Sequence, residues 1–358
     1  ALVRMLGLER KYFIVVLMTF VFGMLGVAVG YENNIAMIPI GAMLSLAIGG
    51  DLILAAGMSV GAITVGFGLS PINPYTVGTG HQLAELPMFS GAALRSVLCF
   101  LGLGLLAIFN VRYFKKIEVD KSLGLGMGLD ESGFSLTKSI STYQMDAKSW
   151  LVAAVFLLGM AIMLVGIFTQ GWYLKEISAI FILIAIGAGI VSKMSATSIS
   201  TIALASVGLV APGAFMVGFA TTIKVILEQG QISDTIAFHL SEFLVTLPIY
   251  ASAIVMSISQ CIMNLMIPSG SGQALATLPV MLPVGELVGL TRQTTILAFQ
   301  IGDGVTNLIN PTLGGLIAML SLCRVPFDRW LRFITPLMII ILLMCWIFLS
   351  IAVFTGWS

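Results

Sequence analysis

Apolar residues in this chain come in unbroken runs rather than in alternation. Residues 12–29, 96–111, 149–169, 177–192, 196–227 and 333–354 are almost entirely Leu, Ile, Val, Phe, Met, Ala and Gly, with few polar interruptions. At a rise of 1.5 Å per helical residue, such runs suit a hydrocarbon layer of about 30 Å. The period-two alternation of a membrane β-barrel is missing from the pattern. The pattern predicts an all-α polytopic membrane protein.

Two shorter runs depart from this. Residues 35–48 contain Pro39, and residues 274–288 contain Pro279 and Pro283. Each follows a full-length apolar run (12–29 and 249–267) and a polar tip, YENN (31–34) or PSGSGQ (268–273). A run too short to cross, joined to a longer one by a polar tip, predicts a re-entrant helical hairpin, because bare backbone at membrane depth needs protein or a water-filled cavity beside it. The hairpins span 12–48 and 249–288. Each is followed by a segment interrupted at Ile-Asn-Pro: 52–85 carries SPINPYTVG (70–78) and 293–322 carries TNLINPTLGG (306–315). Proline supplies no amide donor and disfavours helical geometry in the residue before it. Both segments therefore read as broken transmembrane helices. A complete span closes each unit, at 91–111 and within 323–358.

The units align. IAMIPI (35–40) matches LATLPV (275–280) at an offset of 240 residues, and the two Ile-Asn-Pro triplets lie 237 apart. The lysine-bearing segment 112–148 is predicted to be cytoplasmic. With that choice the first hairpin opens from the cytoplasm and the second from outside. Arg324, Arg329 and Arg332, which took no part in the choice, then fall on the cytoplasmic side. Inverted repeats with broken helices meeting near the midplane are the pattern of secondary transporters. Residues 149–232 read as scaffold helices, 233–247 as an interfacial helix and 1–11 as its counterpart arm. Since the second unit has three spans before its hairpin, the repeat predicts that the first lacks roughly three helices, on the order of 100 residues, ahead of Ala1.

Composition narrows the chemistry. The chain is 58% hydrophobic and 9% charged, with mean hydropathy +1.07, against about 25% charged in a soluble domain. A net charge of +1 gives no field to attract nucleic acid. Cys99, Cys261, Cys323 and Cys345 are scattered, and His81 and His239 are far apart, so neither a metal cluster nor a nucleophilic triad has its raw material. An enzyme is not expected, nor an organic cofactor. SLGLGMG (122–128) has no following lysine and no preceding strand, and reads as a flexible linker rather than a phosphate loop.

A helix interrupted at mid-membrane leaves carbonyls and amides pointing into a cavity, with half-helix dipoles aimed at it. Carbonyl, asparagine and serine oxygens suit Na⁺, and amides at helix N-termini suit a carboxylate. Two sets of groups are expected to converge. One is Glu32, Asn33 and Asn34 of the first tip with Ser70, Asn73 and Thr76 of its broken helix. The other is Ser269, Gly270, Ser271, Gly272 and Gln273 of the second tip with Asp303, Thr306, Asn307, Asn310 and Thr312. Asn73 and Asn310, with neighbouring carbonyls, are the candidate Na⁺ ligands. Glu32 and Asp303 stand out because an intramembrane carboxylate is costly. Single asparagines and serines in membrane helices also serve as interhelical hydrogen-bonding groups. Asp51 reads as a helix cap and His81 as an outer-facing structural residue. The tips and breaks contain no Lys or Arg, which tilts towards a solute with a cationic group, or towards proton or sodium coupling, while helix N-termini leave a carboxylate open. A carrier of a small amino-acid-like or carboxylate solute is the reading, against an ion channel or a membrane enzyme.

The stretch IPSGSGQALATLPVMLPVGELVGLTRQTTILAFQIGDGVTNLINPTLGG (267–315), with GVAVGYENNIAMIPI (26–40) and the segment around VAPGAFMVGFA and ILEQGQISDTI (210–236), resembles the YfcC-type basic amino-acid antiporters of the anaerobic four-carbon-dicarboxylate carrier family, in the ion transporter superfamily. The resemblance implies a homodimer in a bacterial inner membrane, scaffold and transport domains, and an elevator-type movement. Its solutes range over basic amino acids, dicarboxylates and peptides. The family's first tip typically carries a pair of acids; here Glu32 is followed by Asn33 and Asn34.

Overall fold

The computed structural model describes residues 10–132, 134, 146–170, 172, 174–207, 229–230, 242–244 and 246–358. It is helical, with no strand among the described residues. Two chain reversals organise it. In the first, α1 (Lys11–Val29) ends at Gly30, a tight turn follows at Glu32–Met37, and α2 (Ile38–Ala47) returns so that Gly41 faces Phe22. In the second, α9 (Ile249–Met266) and α10 (Gly270–Leu287) reverse about Ile267–Ser269. There Gln273 donates to the backbone and side-chain oxygens of Gln260, and Thr277 to the latter. The Ser269 side chain caps α10 by accepting from Gly272 N–H, so most of the polar tip expected at 268–273 is the first turn of the returning helix.

Each reversal leads into an interrupted helix. The first is α3 (Leu52–Gly68), loosened by a π-turn at Gly57–Gly61, then a break, then α4 (Pro74–Gly78 and Thr79–Leu83). The second is α11 (Arg292–Thr306), a break, then α12 (Gly314–Leu322). Long helices close the units: α5 (Ala92–Val119) and α13 (Phe327–Thr355). α5 continues past residue 111 through Arg112, Lys115 and Lys116, so the polar connection is shorter than 112–148. Between the units stand α6 (Ala147–Gln170), α7 (Leu174–Val191) and α8 (Ala196–Val207). Residues 1–9 and 208–228, and all of 233–247 except 242–244 and 246–247, lie outside the described residues, and with them most of the expected arm 1–11, the expected interfacial helix 233–247 and the later part of the expected scaffold run 196–227. Among the described residues, four helices are long and apolar enough to cross a membrane: Lys11–Ala28, Ala92–Val119, Ile249–Met266 and Phe327–Thr355.

Packing repeats with the sequence. α1 crosses α3 as α9 crosses α11. A Cβ on Gly66 would overlap the Gly23 backbone, and one on Gly302 would reach Ser257 O at 2.7 Å. Gly66 and Gly302 are 236 residues apart, close to the offset of the Ile-Asn-Pro triplets. The units then exchange partners. α10 packs on α4, beyond the first break, while α12, beyond the second, packs on α2 and the Glu32–Met37 turn. α3 meets α11 at Gly68 and Gly304, where a Cβ on Gly68 would sit 2.6 Å from Gly304 O. One continuous apolar core results. A smaller apolar cluster joins Met160 and Met163 of α6 to Val77 and Phe89 near the first break.

The glycine-rich stretch expected to be a free linker is docked. Asp51, the N-cap of α3, accepts Leu54 N–H at 2.8 Å and the Tyr113 hydroxyl at 2.7 Å. Tyr113 in turn accepts Leu125 N–H, and Arg329 donates to Leu125 O and Met127 O. Arg324 pairs with Asp130 at 2.6 Å. This stretch thus straps the start of α3 to the junction between α12 and α13.

Candidate functional site

Both breaks are built on the same local device. Asn73 Oδ1 accepts Tyr75 N–H and Asn310 Oδ1 accepts Thr312 N–H, each at 2.9 Å. An asparagine that binds the backbone two residues on replaces the bond that the intervening proline withholds. The two Nδ2 groups diverge: Asn73 donates to Phe67 O at 3.1 Å, on its own helix, and Asn310 to Asn264 O at 2.8 Å, at the end of α9. Ser70 plays the corresponding part in the first unit, donating to Val27 O near the end of α1 at 3.1 Å. Trp330, wholly buried on α13, donates to Leu308 O and braces the second break.

The tightest convergence joins three elements from both units. Gly270, in the first turn of α10, lies against Thr76 past the first break and against Asp303 on α11. A Cβ on Gly270 would stand 2.5 Å from Thr76 Cγ2, 3.4 Å from Asp303 Oδ2 and 3.8 Å from the Phe67 ring. Only a residue without a side chain allows that approach. Asp303 and Thr76 are buried. Beside them, Asn264 Nδ2 lies 2.8 Å from each of Asp303 O, Thr306 Oγ1 and Asn307 Oδ1. Several buried polar atoms here have no hydrogen-bond partner among the described residues: Thr76 Oγ1, Asn264 Oδ1 and Gln273 Oε1, with Gln260 Nε2 and Ser257 Oγ on the neighbouring α9. Unsatisfied buried polar groups are costly, and a cluster of them, mostly oxygens, asks for a donor or a cation.

The predicted residues divide accordingly. Gly270, Gln273, Thr76, Asp303, Thr306, Asn307 and Asn310 are brought together around the second tip and the two breaks, and Ser70 and Asn73 frame the first break. Ser269 caps its helix, Gly272 is the capped amide, and Ser271 is half-buried. Thr312 is exposed and donates to Leu265 O at 3.0 Å. Asn34 is buried but donates to Gly30 O and Leu25 O, holding its own tip. The side chains of Glu32 and Asn33 lie outside the described residues. Among the described residues no group of His, Cys, Asp and Glu could hold a metal ion, so any Na⁺ here would rest on amide, hydroxyl and carbonyl oxygens with Asp303.

Five participants, Ser257, Gln260, Asn264, Gln300 and Arg95, are not among the residues expected from the sequence. Ser257, Gln260 and Asn264 stand three and four residues apart on an otherwise apolar run, hence on one face of α9; that spacing was the available signal. Gln300, two turns into α11, donates to Ser70 O at 2.8 Å and Gly68 O at 3.2 Å. His81 is buried rather than outer-facing: its Nδ1 accepts Phe89 N–H at 2.9 Å, which leaves Nε2 as the donor to Gln293 Oε1 at 3.1 Å. The breaks themselves contain no basic residue, yet a cation does reach the first one from α5. Arg95 Nε donates to Gln300 Oε1 at 2.9 Å.

Comparison with known proteins agrees with this architecture. Over 313 residues, 84% of this chain, it is 30% identical to the Escherichia coli (strain K12) protein named "Putative basic amino acid antiporter YfcC", spanning 62% of that protein's length. A protein of Haemophilus influenzae is 27% identical over 349 residues, 96% of this chain and 68% of its own. The fold matches the crystal structure of the Alcanivorax borkumensis YdaH transporter, described as having an unusual topology, with a TM-score of 0.68 at 16% identity, covering 96% of this chain and 78% of that one. Several apolar helices, in a chain matched along residues 1–354 by the model of a carrier family, make this a multi-pass membrane protein. The model of the DcuC family of C4-dicarboxylate anaerobic carriers matches residues 1–354, and the chain belongs to that family of transporters.

Proposed function

We propose that this chain belongs to a secondary active transporter that moves a small carboxylate or amino-acid-like solute across a bacterial inner membrane by alternating access. The observation that carries the reading is the meeting of Gly270, Thr76 and Asp303, a helix start, a helix break and a buried carboxylate drawn from both units. Helices that stop and restart in the interior expose backbone dipoles to a solute without charged side chains of their own. The reciprocal packing of each returning arm on the other unit's broken helix supports two re-entrant hairpins in inverted orientation, each acting as a gate over a shared site.

The coupling ion in this reading is Na⁺ or H⁺. The unspent oxygens of Thr76, Asn264 and Gln273, beside Asp303, fit a hard cation. Asn73 Oδ1 already accepts Tyr75 N–H, and Asn310 Oδ1 accepts Thr312 N–H with the Thr312 hydroxyl also 2.7 Å away, so both serve such an ion mainly by fixing nearby carbonyls. Movement as an elevator against α6 and α7, in a homodimer, completes the proposal.

Counterflow in proteoliposomes tests it. A carrier gives uptake of labelled succinate or L-lysine that saturates and is accelerated by the same solute inside. Flux that never saturates, with no trans-stimulation, points to a channel and overturns the reading. Replacing sodium with choline separates sodium coupling from a dependence on the proton gradient, which a protonophore abolishes.

A further inference from the structure

Arg95 stands in the first turn of α5 and is wholly buried. Besides its bond to Gln300, its Nη1 donates to Gln293 Oε1 and to Ser90 O, each at 3.0 Å, and the guanidinium lies 4.7 Å from the Trp357 ring centroid. Gln293 and Gln300 are two turns apart on α11, so the guanidinium lies along that helix, held by amide oxygens and an indole face. No carboxylate pairs with it among the described residues, and its Nη2 has no hydrogen-bond partner there. Burying a cation is expensive, and a guanidinium does not escape the cost by losing its proton. A fold that needed only a bridge between α5 and α11 could use a neutral amide at lower cost.

What the charge accomplishes is visible one bond further on. The amide of Gln300 accepts from Arg95 on one side and donates to Gly68 O and Ser70 O on the other. Those carbonyls end α3 at the first break, and the C-terminal end of a helix is the negative end of its dipole. Arg95 therefore offsets, through Gln300, the negative end that faces the site. Ser70, fixed in the same network, also holds the end of α1 through Val27 O.

We propose that Arg95 is a specificity-determining positioning residue: it keeps Gln300 and the Gly68–Ser70 carbonyls in place and sets a positive potential behind the site that favours solutes bearing a carboxylate over cationic ones. This rests on the transport reading above. It also reverses the tilt towards a cationic solute that the absence of Lys and Arg from tips and breaks suggested.

The test uses counterflow of succinate and of L-lysine with the full chain, together with thermal unfolding of each purified variant. In Arg95→Gln the KM for succinate rises roughly tenfold or more, the KM for lysine stays level or falls, and the maximal rate changes little. Arg95→Lys keeps the charge and recovers most of the succinate affinity. Gln293→Glu keeps Arg95 and its bonds, since the Ser90 hydroxyl can turn to donate, but cancels its charge; it reproduces the succinate defect in a normally folded protein, and settles the matter if Arg95→Gln unfolds. Equal shifts for both solutes, a change confined to maximal rate, an unchanged succinate KM in Gln293→Glu, or a wild type that prefers lysine each overturn the proposal. A wild type that moves neither solute defeats the transport reading for these solute classes and this inference with it, whereas normal succinate transport in all three variants defeats this inference alone.

Discussion

At the residue scale, the distinction that matters is between groups that hold the breaks and groups left to face a solute. Asn73 and Asn310 are of the first kind, since both ends of each amide bind backbone. Replacing either by Ala removes an interior hydrogen-bond pair and is expected to cost about 1–3 kcal/mol, read as a lower unfolding temperature in detergent; a variant as stable as the wild type would show that the amide does not hold its break. The transport reading proposed above assigns Asp303, buried beside Gly270 and Thr76, to the solute-facing kind. Asp303→Asn keeps the shape and removes the charge, so coupled uptake is expected to fall at least about tenfold while the unfolding temperature stays close to wild type. Wild-type uptake kinetics in that variant would remove Asp303 from the site. The sequence made Asp303 and the two asparagines legible because a carboxylate or an Asn-Pro in an apolar run has few cheap explanations. It hid Gln300 and Arg95, whose partners lie about two hundred residues away; no local pattern announces a bond between α5 and α11.

At the element scale, the units are held at crossings where backbone meets backbone. α3 and α11 touch through Gly68 and Gly304, and no rotamer choice relieves a methyl placed there, because the atoms it meets are main chain. Gly68→Ala and Gly304→Ala are therefore expected to destabilise by about 1–3 kcal/mol through overpacking. Gly104 on α5 is the control: a Cβ there meets nothing within 4 Å, so Gly104→Ala is expected to be neutral or to stabilise by up to about 1 kcal/mol from helix propensity. Thermal unfolding of the three variants side by side checks both signs, and equal behaviour would mean that the crossing is not closely packed. The two chain reversals and the interruptions at Ile-Asn-Pro could be read from sequence because run length and proline act locally. The exchange of partners, α10 on α4 and α12 on α2, could not, since it depends on how two similar surfaces meet. The docked stretch 122–132 was misjudged for a related reason: glycines that look like slack in sequence are what let the backbone of Gly126 press against Asp51.

At the scale of the whole molecule, the question is where one body could slide on another. The hairpins, the broken helices, α5 and α13 share one continuous apolar core, tied by polar bonds such as that of Trp330 to Leu308 O. α6 and α7 pack on each other and reach the first break through a much smaller cluster, in which Met160 and Met163 meet Val77 and Phe89. Methionine is unbranched and polarizable, so its contacts can be exchanged at low cost in fit, and the contacts of Met160 and Met163 with Val77 and Phe89 are apolar. An elevator movement along this surface predicts that joining its two sides stops transport. With Met160→Cys and Val77→Cys in a background where Cys99, Cys261, Cys323 and Cys345 are replaced by Ser or Ala, a short bifunctional thiol reagent is expected to abolish counterflow. Each single-cysteine protein should remain active under the same treatment, and cleavage of a reducible linker should restore the rate. The cysteine-free background must carry flux first, because Cys323 and Cys345 are fully buried and their replacement opens small voids. Full activity in a protein shown by mass spectrometry to be cross-linked at these positions would mean that the two bodies do not move apart here, and that alternating access, if it occurs, is confined to the hairpins.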